Sequence, residues 1–242
     1  MTLPYFLVAE LPPGDEYTVD GPEGHHAAAV QRLRAGERLV LTDGRGGTAT
    51  AEVVTAGRGT LIVAVLSRGY APPPPTRLLV AQAIAKGDRG ELAVAAMTEA
   101  GVDEIVPWAA ARSVAQWRGE RGDRSYERWV ATAREAAKQS RRAWLPDVSV
   151  PVTTAALATR LSTVAGAYVL HGNATDRLST VDLPGGGDVA VVVGPEGGIA
   201  DEELAAFTAA GSRAVRLGPT VLRTSTAGVA ALAVLSARLG RW

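Results

Sequence analysis

Three glycine-containing segments in the last third of the chain have the composition of ligand-binding loops. Each follows an apolar run that predicts a buried strand. In parallel α/β sheets, ligands bind beyond the carboxyl ends of strands, where glycine lets backbone amides approach them. A single such segment is usually only a turn, but three so close together in the chain predict one shared pocket. The segments are Leu170-His171-Gly172, Val193-Gly194-Pro195-Glu196-Gly197-Gly198 and Leu217-Gly218-Pro219.

The middle segment does not match the common nucleotide loops. It is not G-x-x-x-x-G-K-[ST], and it lacks the G-x-G-x-x-G fingerprint with a following acidic residue. Pro195 fixes one φ angle, whereas Gly197 and Gly198 can adopt positive φ. We therefore expect a rigid loop with exposed amides, which suits adenine or ribose better than a triphosphate.

Composition excludes several other kinds of chemistry. The chain has no cysteine, which excludes disulfides, thiol catalysis and cysteine-ligated zinc. Its three histidines are too few and too scattered to predict a metal centre. The longest apolar runs are strand-sized and the beginning of the chain has no secretion signal, so we expect a cytoplasmic protein without a membrane partner.

Positive charge is concentrated in the middle of a chain whose formal net charge is zero. Residues 112–142 contain nine basic and four acidic side chains, a net charge of +5. Such segregation predicts a surface that contacts phosphates, with a solvated helix face as the alternative. Trp117, Tyr126 and Trp129 alternate with these arginines, and either base stacking or burial against a sheet accounts for them.

The prolines at residues 72–75 predict a boundary between a domain at 1–71 and a second domain at 76–242. In the first domain, strand patterns at 5–8, 38–42, 48–54 and 61–65 with one helix around 24–34 predict a small β-barrel. In the second, alternating strands and helices predict an α/β domain with a parallel sheet. We expect its strands at 77–85, 104–107, 167–170, 189–193 and 214–217, and its helices at 88–100 (capped by Asp88), 123–142, 153–161, 201–210 and 224–239.

The motifs together resemble one family. The chain is similar, over nearly its whole length, to the ribosomal small-subunit RNA uracil-N3 methyltransferases of the knotted SPOUT superfamily. The matching blocks, in chain order, are residues 25–32, 86–88, 98–102, 105–107, 112–114, 135–141, 194–198 and 217–227.

The resemblance implies a fold, a reaction and partners. The second domain would be a SPOUT domain with a deep trefoil knot, and the first a PUA-like RNA-binding barrel. The enzyme would act as a homodimer, with the apolar final helix at the interface or packed only within its own subunit. It would transfer a methyl group from S-adenosylmethionine to N3 of a uridine in 16S ribosomal RNA of the small subunit, uridine 1498 in the family.

Site residues follow from the loops and from the resemblance. Contacts to the cofactor are expected from Leu170, His171, Gly172, Val193, Gly194, Pro195, Glu196, Gly197, Gly198, Leu217, Gly218, Leu222, Arg223 and Thr226. Contacts to RNA are expected from His25, His26, Arg32, Arg34, Arg45, Lys86, Arg89, Arg112, Arg141 and Arg142.

Catalysis requires the proton on uracil N3 to leave, because the neutral base is a poor nucleophile. Arg223 is the first catalytic candidate, since a guanidinium beside the uracil oxygens would favour the anion. The alternative is a helix-end arginine that contacts solvent or an acid. Glu196 is the second candidate, unless it only caps the helix near Asp201, and His171 is a further option.

One position departs from the family pattern Leu-Arg-Thr-Glu-Thr-Ala. Ser225 stands where the glutamate would be, so a glutamate base cannot act there and the base stays unassigned. Two other functions therefore remain open: a catalytically silent RNA-binding or ribosome-assembly factor, and a ribose 2′-O-methyltransferase of the same superfamily.

Overall fold

The computed structural model describes residues 3–242, which form two compact units. The first unit contains the described residues up to Pro73 together with Ala137–Leu145. The second contains Pro74–Ala136 and Pro146–Trp242.

The first unit is built on a curled, half-barrel sheet with the strand order β1-β3-β4-β5-β2. Residues on β4 alternate between buried and half-exposed, so that one face lines a core containing Phe6, Leu39 and Leu61. All four predicted strands are present, but β2 was not predicted because it has only four residues, of which one is buried. The strands are β1 (Tyr5–Leu7), β2 (Glu16–Val19), β3 (Arg38–Thr42), β4 (Gly47–Ala56) and β5 (Leu61–Tyr70).

The helix of this unit differs from the predicted range of 24–34. Helix α1 spans Gly21–His25, and a π-helical turn at His26–Val30 continues it. It begins earlier because Pro22 suits a first helical turn. It ends earlier because Arg32 has a φ of 56°, which no right-handed helix accommodates.

The second unit is a six-stranded, fully parallel sheet with the order β11-β9-β10-β6-β7-β8, as the alternating pattern predicted. Hydrophobic cores cover both of its faces. The strands are β6 (Leu78–Ala83), β7 (Glu104–Trp108), β8 (Asp147–Val148), β9 (Gly166–Leu170), β10 (Val189–Val193) and β11 (Arg213–Val215). The helices are α2 (Arg89–Glu99), α3 (Gly119–Gln139), α4 (Thr154–Leu161), α5 (Asp201–Ala209) and α6 (Thr224–Arg238).

Both predicted bounds of α3 and the predicted cap of α2 are wrong. Helix α3 begins at Gly119, before the predicted residue 123. Helix α3 ends at Gln139 because Arg141 adopts a φ of 57°, and the amide of Arg142 turns back to the carbonyl of Ala137 at 2.9 Å. Asp88 does precede α2, but its side chain accepts no capping hydrogen bond, since its own backbone is already helical.

The aromatic residues of the arginine-rich stretch are packed inside the second unit. Trp129 is 2% exposed and lies against Gly90, where an added Cβ would be 2.7 Å from the indole nitrogen. Trp117 meets Trp129 edge to face at 4.9 Å, and the Tyr126 hydroxyl donates to the carbonyl of Val148. Burial therefore accounts for Trp129, whereas Trp117 and Tyr126 are half-buried.

None of the helices in residues 3–242 combines the length and the apolar character that a bilayer crossing requires. In the same range, no three acidic or histidine side chains are grouped closely enough to hold a metal ion.

Candidate active site

The predicted loops lie at one edge of the parallel sheet. Strands β11, β9 and β10 are neighbours, and their register pairs Val215 with Leu170 and Val192 with Val169. Their carboxyl ends therefore bring Gly172, the 194–198 loop and Gly218 to the same edge. A Cβ added to Gly172 or Gly218 would meet open space, so this edge is accessible to a ligand.

The 194–198 loop needs glycine at two positions for different reasons. A Cβ on Gly194 would lie 2.6 Å from Cγ1 of Ile199, so that the chain can turn back on itself only without a side chain. Gly198 has a φ of +74°, and its amide donates to the carbonyl of Pro195 at 2.9 Å. The loop is therefore a tight turn with a defined backbone.

A buried hydrogen-bond relay ties this loop to the start of α6. Gln82, at the carboxyl end of β6, is fully buried and donates from Nε2 to Oγ1 of Thr224 at 2.9 Å. The Thr224 hydroxyl in turn donates to the carbonyl of Gly194 at 2.9 Å. Sequence reasoning missed both residues, although a single polar residue in the apolar run of β6 was a usable signal.

Arg223 immediately precedes α6 in an extended conformation. Its carbonyl accepts hydrogen bonds from the amides of Thr226 and Ala227, and its side chain is exposed. Among residues 3–242, no carboxylate pairs with this guanidinium. Ser225 is 5% exposed and lies in the first turn of α6.

Glu196 is held by an ion pair instead of acting as a helix cap. Its carboxylate accepts from Nη1 of Arg89 at 3.1 Å. Partial burial opposes the charged form, but hydrogen bonds from the Glu196 amide, from Arg89 and from the Lys86 backbone outweigh it and hold the pKa of this carboxyl below its usual range. Glu203, and not Glu196, accepts from the Ala200 amide at the start of α5, at 3.0 Å.

Glu203 also positions Arg112 beside the loop. Its Oε1 accepts from the Ala111 amide at 2.7 Å and from the Thr154 hydroxyl at 3.0 Å. The neighbouring Arg112 places its own Cβ 3.1 Å from the point where a Cβ of Gly197 would lie. This buried glutamate was not singled out from the sequence, because its partners are distant in the chain.

The residues expected to bind RNA fall into two groups. Lys86, Arg89 and Arg112 are exposed in the second unit, and the two arginines contact the 194–198 loop. The others belong to the first unit: His25, His26, Arg32, Arg34, Arg45, Arg141 and Arg142. His26 and Arg142 are half-buried, and the rest are exposed. His26 packs edge to face on Phe6.

The remaining residues predicted at the cofactor site differ in their exposure to solvent. The amide of His171 donates to the carbonyl of Val215 at 2.9 Å and extends the β9–β11 pairing. Leu170, Leu217 and Gly218 are half-buried, Val193 and Pro195 are buried, and Leu222 and Thr226 are exposed.

Comparisons with known proteins define the class. Residues 72–236 match the family model of the RNA methyltransferase domain, and residues 19–66 match that of the RNA methyltransferase PUA domain. These matches place the chain among the RNA methyltransferases.

Individual relatives narrow this class. The ribosomal RNA small subunit methyltransferase E of Mycobacterium bovis is 49% identical, over 98% of this chain and 92% of the relative. The enzyme of the same name from Neisseria gonorrhoeae, solved bound to S-adenosyl methionine, has a TM-score of 0.87 at 27% identity, with 98% of each chain covered. A Legionella pneumophila methyltransferase in complex with the same cofactor has a TM-score of 0.88 at 28% identity, again over 98% of each chain. The chain belongs to the ribosomal RNA small subunit methyltransferase E family.

The relay through Gln82 predicts a coupled loss of stability. Gln82→Leu keeps the volume but removes a buried donor, so we expect the free energy of unfolding to fall by about 1–3 kcal/mol. Thr224→Val should act through the same relay, and denaturant unfolding of both variants and their double mutant should reveal a coupling energy above about 0.5 kcal/mol. Simple additivity would show that the two side chains act independently.

Proposed function

We propose that this chain, in the cytoplasm, transfers the methyl group of S-adenosylmethionine to N3 of a uridine in 16S RNA of the small ribosomal subunit. The observation that carries the proposal is the convergence of three glycine-containing loops on one open edge of the sheet. The cofactor named for the two solved relatives supports it, as does the family of the chain.

The loops fit the cofactor by their geometry. Backbone at Gly172 and Gly218 faces open space, and the 194–198 loop is a tight turn with a defined backbone. We infer that these loops, with Leu222, Arg223 and Thr226 from the start of α6, hold the cofactor. When bound, the cofactor supplies a methyl group on a positively charged sulfur, which makes that methyl electrophilic.

The residues of the chain must then prepare the nucleophile. We assign to Arg223 the stabilisation of the uracil anion, because its guanidinium is exposed next to the loops and no carboxylate in residues 3–242 neutralises it. Glu196 is a weak proton acceptor, since its pKa is lowered and Arg89 occupies its carboxylate. It serves better as the partner that fixes Arg89 beside the loop.

Basic residues of each unit are proposed to contact RNA. We propose that residues 1–71 form a PUA-like RNA-binding domain, joined through residues 72–75 to the methyltransferase domain at 76–242. The match of residues 19–66 to an RNA methyltransferase PUA domain supports this division. The exposed arginines of α3 would add phosphate contacts. One face of this helix is buried, and its arginines lie on the face that is open to solvent.

We further propose the trefoil knot of the superfamily. Strand β11 is bonded on one edge to β9. On its other edge, the Arg216 carbonyl accepts from the Leu178 amide and the Arg216 amide donates to the Asp176 carbonyl. The loop through Gly172 joins β9 to the 176–178 segment, so the end of β11 pairs with two earlier parts of the chain, and this arrangement supports the proposed knot.

A homodimer is the proposed assembly. One face of α6 is buried through Gly228, Ala231 and Leu235, whereas Ala230 and Ala233 are only half-buried. Next to this helix, Val221 is 92% exposed in the same loop as Arg223. A second copy that covers these surfaces would complete the pocket.

A silent RNA-binding factor is the second candidate function. The observation that favours it is Ser225, a buried hydroxyl where a carboxylate would otherwise stand. Binding of S-adenosylmethionine separates the two functions, because a silent factor has no need of the cofactor.

The proposal is tested with purified protein, labelled S-adenosylmethionine and two substrates, naked 16S RNA and small subunits from a strain lacking the enzyme. We expect saturable cofactor binding in calorimetry and label transfer that yields 3-methyluridine after RNA digestion. Absence of cofactor binding at millimolar concentration would favour the silent factor. Label in 2′-O-methyl nucleosides would identify the ribose methyltransferase instead.

A further inference from the structure

Tyr70, at the end of β5 in the first unit, is an exposed aromatic side chain with a fixed orientation. Its side chain is 66% exposed, so at least one face of its ring is open to solvent. Trp144 meets the ring at 6.4 Å with an interplanar angle of 72°, an edge-to-face contact. Trp144 is itself anchored, because its indole N–H donates to the carbonyl of Ala71 at 2.8 Å.

The β3–β4 hairpin turn locks this pair in place. The amide of Gly46 donates to the carbonyl of Ala143, and the Gly46 carbonyl accepts from the amide of Ala71, both at 2.8 Å. A Cβ on Gly46 would lie 2.8 Å from the Trp144 indole nitrogen, so the tryptophan seats against the turn only because residue 46 is glycine. Little side-chain entropy would therefore be lost when a ligand stacks on Tyr70.

The charge around the ring is positive. Arg45, in the same hairpin turn, is exposed, and no carboxylate among residues 3–242 pairs with its guanidinium. Arg68 lies two residues before Tyr70 on the same face of β5, and its guanidinium bonds only carbonyls, those of Pro12 and Gly14, within the described chain. The nearby Asp43 is used by the turn itself, since its carboxylate accepts from the amides of Arg45 and Gly47.

We propose that Tyr70 is a stacking platform for an unpaired base of the RNA substrate, with Arg45 contacting the adjacent phosphate. A rigid exposed ring beside an uncompensated guanidinium provides the two contacts that single-stranded RNA requires, a π-face and a cation. A protein partner would need a broad apolar surface around the ring, whereas beside Trp144 the nearby hairpin turn and β5 carry Arg45 and Arg68. The assignment of the ligand as RNA rests on the proposed function.

Affinity for RNA tests the platform. Tyr70→Ala should weaken binding of an unstructured RNA oligonucleotide about 5- to 150-fold, which corresponds to the stacking energy of about 1–3 kcal/mol per base. Tyr70→Phe keeps the π-face and should bind as the wild type does. Leu66→Ala is the matched control, because Leu66 is another exposed apolar residue of β5, at 49% exposure.

Salt dependence separates stacking from charge. Tyr70→Ala should leave the slope of log affinity against log salt unchanged, whereas Arg45→Ala should reduce its magnitude by about 1. Equal RNA affinity of Tyr70→Ala and the wild type would refute the platform and favour a protein partner for this surface. Equal losses in Tyr70→Ala and Leu66→Ala would refute it as well.

The experiment also distinguishes this inference from the proposed function. Tyr70→Ala should bind S-adenosylmethionine like the wild type, since Tyr70 lies outside the cofactor loops. A wild type that methylates RNA and a Tyr70→Ala variant with unimpaired RNA affinity would overturn the platform alone. An inactive wild type with a Tyr70-dependent RNA affinity would overturn the proposed reaction and support the platform.

Discussion

Replacing Arg223 with alanine is expected to lower kcat for RNA methylation about 10²- to 10³-fold, which is the usual loss when one group that stabilises developing charge is removed. The expectation follows from the position of Arg223, directly before α6 and beside the cofactor loops, with an exposed guanidinium. The affinity for S-adenosylmethionine should fall far less than kcat, because the other residues of the proposed pocket keep their contacts with the cofactor. Single-turnover kinetics and calorimetry measure the two effects separately.

Two variants control for this result. Arg223→Lys keeps the charge but loses the planar fork, so an intermediate rate is expected. Arg58→Ala removes an exposed arginine from the first unit, outside the proposed site, and should leave kcat unchanged. Losses of equal size in kcat and in cofactor affinity for Arg223→Ala would make Arg223 a binding residue instead.

Adding side chains to the 194–198 loop should abolish most cofactor binding. Gly194→Val places a branched side chain where Cγ1 of Ile199 lies 2.6 Å from the Cβ position, and Gly198→Val forces a β-branched residue to a φ of +74°. Overpacking of this kind costs about 1–3 kcal/mol, or roughly 5- to 150-fold in affinity if the loop alone absorbs it. Titration with S-adenosylmethionine measures the loss.

Gly186→Ala is the matched control for these substitutions. A Cβ there meets nothing within 4 Å and the residue has no positive φ, so affinity and thermal stability should match the wild type. Wild-type cofactor affinity in Gly194→Val or Gly198→Val would show that the loop does not form the pocket.

Some elements were predictable because local sequence determines them. Strand β10 has the predicted bounds, since a run of five apolar residues lies between Asp188 and Gly194. Helix α5 begins at Asp201 as predicted, and Gly211 follows it with a φ of +89°. In each case residues next to the element in the chain begin and end it.

Other elements depend on contacts that the linear sequence does not display. Strand β8 has only two residues and is defined by its pairing with β7. Residues 137–145 belong to the first unit because Trp144 seats against Gly46 and Lys138 forms a buried ion pair with Glu23 at 2.7 Å. No periodic pattern within 137–145 indicates these distant partners.

The candidate site divides in the same way. The glycine loops were predictable because parallel strands place their carboxyl ends together, and glycine marks where backbone is exposed. The side chains that hold the loop were not, since Gln82 and its hydrogen-bond partner Thr224 are 142 residues apart in the chain. The ion pair of Glu196 could not be predicted either, because its partner Arg89 is 107 residues away in the chain.

The measurement that tests the central claim most directly is nucleoside analysis of small-subunit RNA from a strain lacking this gene. We predict that 3-methyluridine disappears from 16S RNA, that the wild-type gene restores it, and that an Arg223→Ala gene does not. Unchanged 3-methyluridine in the deletion strain, or loss of a 2′-O-methyl nucleoside in its place, would contradict the account.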